Sequence, residues 1–138
     1  MTDAYLLVPT APPLVDYLRL RRAAGLSVRS PEQAGPALEN SWAFCHVVST
    51  SGEVAAMGRI IGDGGWYFHV ADMATLPDHQ RRGLGRRVLE WLLAQVDERA
   101  PAGALVNLIA DPPGQPLYEK LGFRWVGPDA VGMTLNRP

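Results

Sequence analysis

The sequence has little of what would tie it to a membrane, an oxidising compartment or a nucleic acid. One cysteine, Cys45, stands among 138 residues, so no internal disulfide framework can form and a reducing compartment suits the chain. No apolar run approaches the roughly 18 residues of a membrane-spanning helix. Lys and Arg number 13 against 14 Asp and Glu, a formal net charge of −1, and this gives no global field to steer nucleic acid or an acidic membrane. Neither is expected as a partner. The amino-terminal MTDAYLLVPTAPP lacks the basic start and long apolar segment of a secretion signal, so a cytoplasmic protein is expected. The histidines and Cys45 occur at no metal-ligand spacing, and no metal is expected. Repeats and low-complexity tracts are also missing. The length is too small for two cores, so one domain over residues 1–138 is expected.

What is there is an alternation of short strand and helix patterns. Ala4–Pro9 reads as a strand, stopped by Pro9 and the Pro12-Pro13 pair. In the helix that follows, Leu14, Tyr17, Leu18, Leu20 and Ala24 supply an apolar side while Arg19, Arg21 and Arg22 are expected to face water, and Gly25 is the stop. Ser30 caps a second helix that runs to about Asn40, with Pro31 in its first turn and an interruption at Gly35-Pro36. Trp42–Ser49, Val54–Ile61 and Trp66–Leu76 form an antiparallel meander through the turns at residues 50–53 and 62–65. From Leu84 onward, Val88, Leu92 and Val96 recur at helical spacing with Leu89 and Leu93 beside them, and Pro101 and Gly103 close this long helix after Arg99. Ala104–Ala110 reads as a fully buried strand. A strand, helix, strand unit with one crossover makes it parallel to Trp66–Leu76. Asp111 caps a short helix that Pro112 and Pro113 initiate and Gly122 ends, and Phe123–Val126 with Val131–Leu135 is expected to form a closing hairpin.

The start of the long helix breaks two rules at once. Gly83 and Gly85 each cost about 1 kcal/mol against Ala, and Arg81, Arg82, Arg86 and Arg87 crowd the positive end of the helix dipole. An anion offsets both costs, because free backbone N–H groups, glycines that admit a ligand and guanidinium forks together make a phosphate seat. A P-loop needs Lys-Ser or Lys-Thr after its glycines, and none follows. A dinucleotide fingerprint needs a third glycine where Val88 stands. Gln80-Arg81-Arg82-Gly83-Leu84-Gly85 instead resembles the Q/R-x-x-G-x-G/A signature of the GNAT N-acetyltransferase family. The flanks agree: MATLP (Met73–Pro77) falls where that family has its central strand, and LYEKLGF (Leu117–Phe123) where it has a late Tyr-containing helix.

The resemblance implies an α+β fold, a central, mostly antiparallel twisted sheet with one splayed parallel strand pair, flanked by helices. It implies acetyl-CoA as co-substrate. Met73, Ala74 and Thr75 match the strand whose backbone pairs with the pantetheine arm, and Gln80, Arg81, Arg82, Gly83, Leu84, Gly85 and Arg86 match the pyrophosphate loop. Asp111 replaces the usual Asn at the pantetheine end, Gly114 takes a position that is commonly small, and Tyr118 matches the general acid. The implied reaction is direct attack of a neutral amine on the acetyl thioester. An alkyl amine has an ordinary pKa of about 10.4 and must lose a proton first. Asp72 is the first candidate base and His69 the second. Each also has a structural reading, Asp72 as a partner for backbone at the splay and His69 as a hydrogen-bonding residue of the sheet surface. Strict alternation puts Asp72 on the face of Trp66, Phe68 and Val70, opposite Tyr67 and His69, unless a bulge resets it. Cys45 and His46 read as packing residues. The acceptor is expected to be a small-molecule amine, with a protein lysine or N-terminus as the alternative and a non-catalytic acyl-CoA sensor as the alternative role. Many members of the family pair as homodimers, and a homodimer is expected here.

Overall fold

A computed structural model describes residues 4–138. Its elements in chain order are β1 (Tyr5–Val8), α1 (Leu14–Ala23), α2 (Pro31–Asn40), β2 (Ala43–Ser49), β3 (Val54–Gly62), β4 (Tyr67–Thr75), α3 (Leu84–Arg99), β5 (Leu105–Asn107) and α4 (Gln115–Lys120). Short 3₁₀ turns at Pro77–His79 and Pro112–Gly114 precede α3 and α4. The strands form one five-stranded sheet in sequence order, antiparallel throughout except for the parallel β4/β5 pair. That is the mixed α/β arrangement the resemblance implied.

Helices cover both faces. α3 lays Leu84, Val88, Leu89, Leu92 and Val96 against Cys45, Val47, Ile60, Phe68 and Val70, the larger apolar cluster. On the other face Tyr17 and Leu20 of α1 and Ala34 of α2 pack on Phe44, Met57, Ala74 and Leu76. Sheets of this size are stable only when such apolar faces are taken out of water, at about 25 cal/mol per Å² buried.

A bulge in β4 decides which residue meets which layer. Arg59 pairs with Ala71 and Met57 with Ala74, so Asp72 and Met73 together oppose the single residue Gly58. Asp72 takes a left-handed φ of 56° to make room. Gly58 cannot carry a side chain, because a Cβ there would stand 2.5 Å from the Met73 sulfur and 2.7 Å from a Val88 methyl. The extra residue reverses the strand's phase: Phe68 and Val70 face α3, whereas Ala74 and Leu76 face α1. Asp72 therefore projects toward α1, away from the face of Phe68 and Val70 where uninterrupted alternation would put it.

Five further expectations need correction. Arg21 does not face water: it is 9% exposed, because it shares the buried stripe of α1 with Tyr17 and Leu20 at helical spacing. Pro36 does not interrupt α2, whose helix continues through it; its ring fixes a helical φ, and what it withholds is one N–H toward the carbonyl four residues back. β5 is three residues long instead of a buried run over 104–110, and Leu105 is 45% exposed because β5 lies at the sheet edge. Asp111 occupies the cap position of its 3₁₀ turn, yet its side chain makes no capping hydrogen bond. The closing hairpin is absent. The chain does reverse, with the Ala130 N–H donating to the Val126 carbonyl at 3.1 Å, but residues 123–138 contain no strand, and Trp125, Val126, Val131, Met133 and Leu135 are exposed. A strand exists only with a partner, and the three-residue β5 gives these residues almost no ladder to extend.

Candidate active site

β4 and β5 hold together only at Tyr67–His69 against Leu105–Asn107. Beyond His69 and Asn107 they diverge, leaving the edge of β4 over residues 70–75 without a strand partner. Unpaired backbone N–H and C=O groups on an open edge are a ready template for an extended ligand. A cleft of about 250 Å³ lies at the divergence, lined by Val70, Ala71, Asp72 and Met73 of β4, by Leu108, Ile109, Asp111, Gly114 and Tyr118 from the chain after β5, and by Arg21, Ala24 and Leu26.

At the carboxyl end of β4 the chain enters the Arg-Gly loop. Gln80 ties it back to the strand, donating from Nε2 to the Thr75 carbonyl at 3.3 Å. His79 ties it to β1 and to the turn before β3, with Nδ1 2.8 Å from the Tyr5 hydroxyl and Nε2 2.8 Å from a Glu53 carboxylate oxygen. Arg81 and Gly83 both adopt left-handed φ values, 63° and 76°. α3 starts without a side-chain cap, and the first backbone N–H to bond back is that of Arg87, to the Gly83 carbonyl at 3.0 Å. The amides of Leu84, Gly85 and Arg86 are therefore open to an anion. The arginines divide. Arg87 donates to the Tyr5 carbonyl at 2.9 Å, Arg82 to the Tyr5 hydroxyl at 3.2 Å and Arg86 to Glu90 at 2.5 Å, while Arg81 has no partner among the described residues. Gly85 lies 3.6 Å from Leu117 and 3.9 Å from the Thr75 hydroxyl, measured from where a Cβ would be, so the loop, β4 and α4 meet there.

Tyr118 closes the cleft. Its ring lies over Gly114, where a Cβ would stand 2.8 Å from the ring and 3.1 Å from the hydroxyl oxygen, so only glycine admits this pose. Phe123 supports the ring edge-on, with centroids 5.9 Å apart. Burial, and then the Asp111 carboxylate, push the phenol pKa upward from its ordinary value. The hydroxyl stays protonated at neutral pH and has no hydrogen-bond partner among the described residues.

Asp72 is held from three sides. Arg21 Nη1 donates to Oδ1, and Oδ2 accepts from Arg59 Nε at 2.6 Å and from the Tyr17 hydroxyl at 2.6 Å. Its side chain is 4% exposed. Burial, followed by the hydrogen bond to Asp72, raises the Tyr17 pKa to about 12. His69 sits at the vertex of the divergence. Its Nδ1 is 2.7 Å from Asn107 Oδ1, and Asn107 Nδ2 donates to the Tyr67 hydroxyl at 2.7 Å. With the amide so placed, Nδ1 donates to Oδ1, and Nε2 has no partner among the described residues.

The structure thus gathers Asp72, Met73, Asp111, Gly114 and Tyr118 on one cleft. The loop residues 80–86 follow β4 after the 3₁₀ turn at Pro77–His79, and His69 stands where β4 and β5 part. Ala74 is turned into the α1 layer, leaving only its backbone available. Sequence reasoning did not find Tyr17, Arg21 and Arg59, the three partners of Asp72, or Asn107. A signal existed for Arg59, a lone charge inside the apolar run Val54–Ile61. Cys45 and His46 are packing residues as expected: burial raises the Cys45 thiol to about 12, and His46 Nδ1 is 2.7 Å from the Thr10 carbonyl oxygen.

A family model described as "Acetyltransferase (GNAT) domain" matches residues 41–125, from the end of α2 to beyond α4. The chain belongs to the GNAT acetyltransferase family. A chloroplastic serotonin N-acetyltransferase 2 of Oryza sativa subsp. japonica is 36% identical over 117 residues, 82% of this chain. The chain spans 57% of that relative's length. Among solved structures, one from meticillin-resistant Staphylococcus aureus, described as a "Probable Acetyltransferase", is 31% identical with a TM-score of 0.91, covering 97% of this chain and 100% of that one. A GNAT family protein from Streptococcus pneumoniae, 24% identical with a TM-score of 0.78 over 99% of this chain and 100% of its own, shares the fold. No helix among the described residues is long and apolar enough to cross a membrane.

Proposed function

We propose that this protein moves the acetyl group of acetyl-CoA to a primary amine of a small molecule, by direct attack with no covalent enzyme intermediate. The observation that carries the reading is the unpartnered phenol of Tyr118 at the end of a cleft whose one wall is an unpaired strand edge. The residues present suit acetyl-CoA. Gln80–Arg86 and the open amides of α3 hold the pyrophosphate, residues 73–75 present backbone groups to the pantetheine arm, and Gly114 leaves room beside Tyr118. When bound, acetyl-CoA supplies an acyl carbon activated by its thioester.

The protein's own part is proton traffic and orientation. Free N–H groups on the open edge of β4 polarise the thioester carbonyl. As the acceptor nitrogen bonds to the acyl carbon and the carbon–sulfur bond breaks, the Tyr118 hydroxyl gives its proton to the departing sulfur, whose thiol has a pKa near about 8.5. The proton released by the amine goes to His69 Nε2, either directly or through water, with Asn107 fixing the ring. His69 suits this role better than Asp72, because both Asp72 oxygens already accept hydrogen bonds. Asp72 is instead a positioning residue that fixes the bulge.

Free thiol released from acetyl-CoA with a panel of amines tests the reading, and serotonin, the acceptor in the rice relative's name, belongs in the panel. Tyr118→Phe keeps the ring over Gly114 and removes only the proton. Turnover is expected to fall by roughly 10²-fold to 10⁴-fold while CoA affinity, measured by calorimetry, stays within about twofold. Full turnover in the variant overturns the assignment of Tyr118. Release of no thiol with any amine overturns the activity.

A further inference from the structure

On the face of the sheet away from α3, a second cavity of about 290 Å³ lies under α2 and the segment leading into it, lined by Tyr17, Arg21, Arg29, Gln33 and Arg59 with Ala34 and Ala37. Its polar groups can be sorted into those already spent and those still free. Every nitrogen of Arg21 is engaged: Nη1 on Asp72, Nε on the Ser27 carbonyl at 3.1 Å, and Nη2 on the same carbonyl at 2.9 Å and the Ser27 hydroxyl at 3.0 Å. The Tyr17 hydroxyl proton points to Asp72. Arg59 spends Nε on Asp72 and Nη1 on the Ser41 hydroxyl at 3.2 Å. Gln33 spends Oε1 on the Ser30 backbone N–H at 3.1 Å, closing the capping box of α2.

What remains without a partner among the described residues is the whole Arg29 guanidinium, Arg59 Nη2 and Gln33 Nε2. All three are donors and two are cationic. The one amide acceptor is committed to the helix cap, no carboxylate lines the cavity, and Asp72 behind it has both oxygens occupied. A cavity whose unpartnered groups are two guanidiniums and an amide N–H, with the Tyr17 phenol oxygen as its one open side-chain acceptor, favours an anionic oxygen group, and guanidiniums bind carboxylate and phosphate oxygens in pairs. The volume is that of roughly ten liquid waters, enough for such a group and a few carbons. Arg21 borders both this cavity and the cleft between β4 and β5, so the two sites are neighbours across the Asp72 cluster.

We propose that this cavity seats a carboxylate or phosphate carried by the acceptor, so that the amine is acetylated on a molecule that also bears an anion. The proposal rests on the acetyltransferase reading, and it narrows the acceptor to amino acids, amino-sugar phosphates and similar compounds. The test compares matched pairs in the thiol-release assay: an amino acid against its decarboxylated amine, and an amino sugar against its phosphate ester. The anionic member of at least one pair is expected to have a kcat/KM at least about tenfold higher, carried in KM, and the pair that shows it separates carboxylate from phosphate. Arg29→Met removes an exposed side chain that holds nothing else in the protein, and it is expected to cut that discrimination by about tenfold or more; Arg29→Glu cuts it further.

A second readout separates failure of this proposal from failure of the activity. Thermal stabilisation of the wild type by the anionic amines in the presence of CoA, lost in Arg29→Glu, supports the seat even if no thiol is released, and in that case the acetyltransferase reading fails alone. Thiol release with equal kcat/KM for both members of each pair overturns the seat and leaves the activity standing. Discrimination that survives unchanged in Arg29→Glu also overturns it.

Discussion

Under α3 the buried side chains of the sheet are apolar, whereas the face under α1 and α2 holds Arg21 and His46, the two buried polar residues among the described residues, together with the side chain of Asp72. The first face is held chiefly by apolar contact, and its cost of disruption grows with the volume removed. The second is held by charges that lose hydration on burial and regain it only from one another. Apolar packing and buried charge are thus divided between the two sides of one sheet. The side that pays for desolvated charge is the side that borders both cavities.

That division can be broken most severely at Asp72. Asp72→Ala leaves Arg21 and Arg59 facing each other without a counter-charge, and is expected to cost about 3–5 kcal/mol in chemical denaturation. On the opposite face Leu92→Ala removes a fully buried side chain and is expected to cost about 2–5 kcal/mol, the value rising with the cavity left behind. If the faces differ as described, the Leu92 loss leaves acceptor discrimination intact while any Asp72 variant stable enough to assay loses it.

Tyr17 gives the smallest and most specific contrast. Tyr17→Phe deletes one hydrogen bond to a carboxylate that keeps its two arginines, at an expected cost of about 1–3 kcal/mol. The sign of its pH dependence is fixed by the raised pKa of about 12. An unfolded tyrosine titrates near about 10, so Tyr17's contribution is fully present below that pH and is lost as pH rises toward about 12. Stability measured against pH in this alkaline range should fall more steeply in the wild type than in Tyr17→Phe, and parallel curves would remove Tyr17 from the cluster.

How far these regions were legible in the sequence follows from the range of the forces involved. α3, the Arg-Gly loop and Tyr118 lie within local patterns, where helical spacing, glycines and the order of motifs suffice. Arg21 was misplaced because a charge on an amphipathic helix is assigned to water by default, and only its spacing from Tyr17 and Leu20 argued otherwise. Its partner is 51 residues away. The pairing of His69 with Asn107 depends on a register between β4 and β5 that no local pattern specifies. The closing hairpin failed for the complementary reason: Phe123–Val126 and Val131–Leu135 have strand composition but little to pair with.

Asp72 is one residue too many for a regular strand, and it splits β4 into two stretches of opposite phase. Before it, even-numbered side chains belong to the α3 layer, and after it they belong to the α1 layer. The strand therefore works like a crossover in a two-track line, passing from one layer to the other without leaving the sheet. Deletion of a single residue there would restore regular pairing and, with it, send every side chain on one side of the cut to the wrong layer. In β4 the count of residues is as much a constraint as their identity.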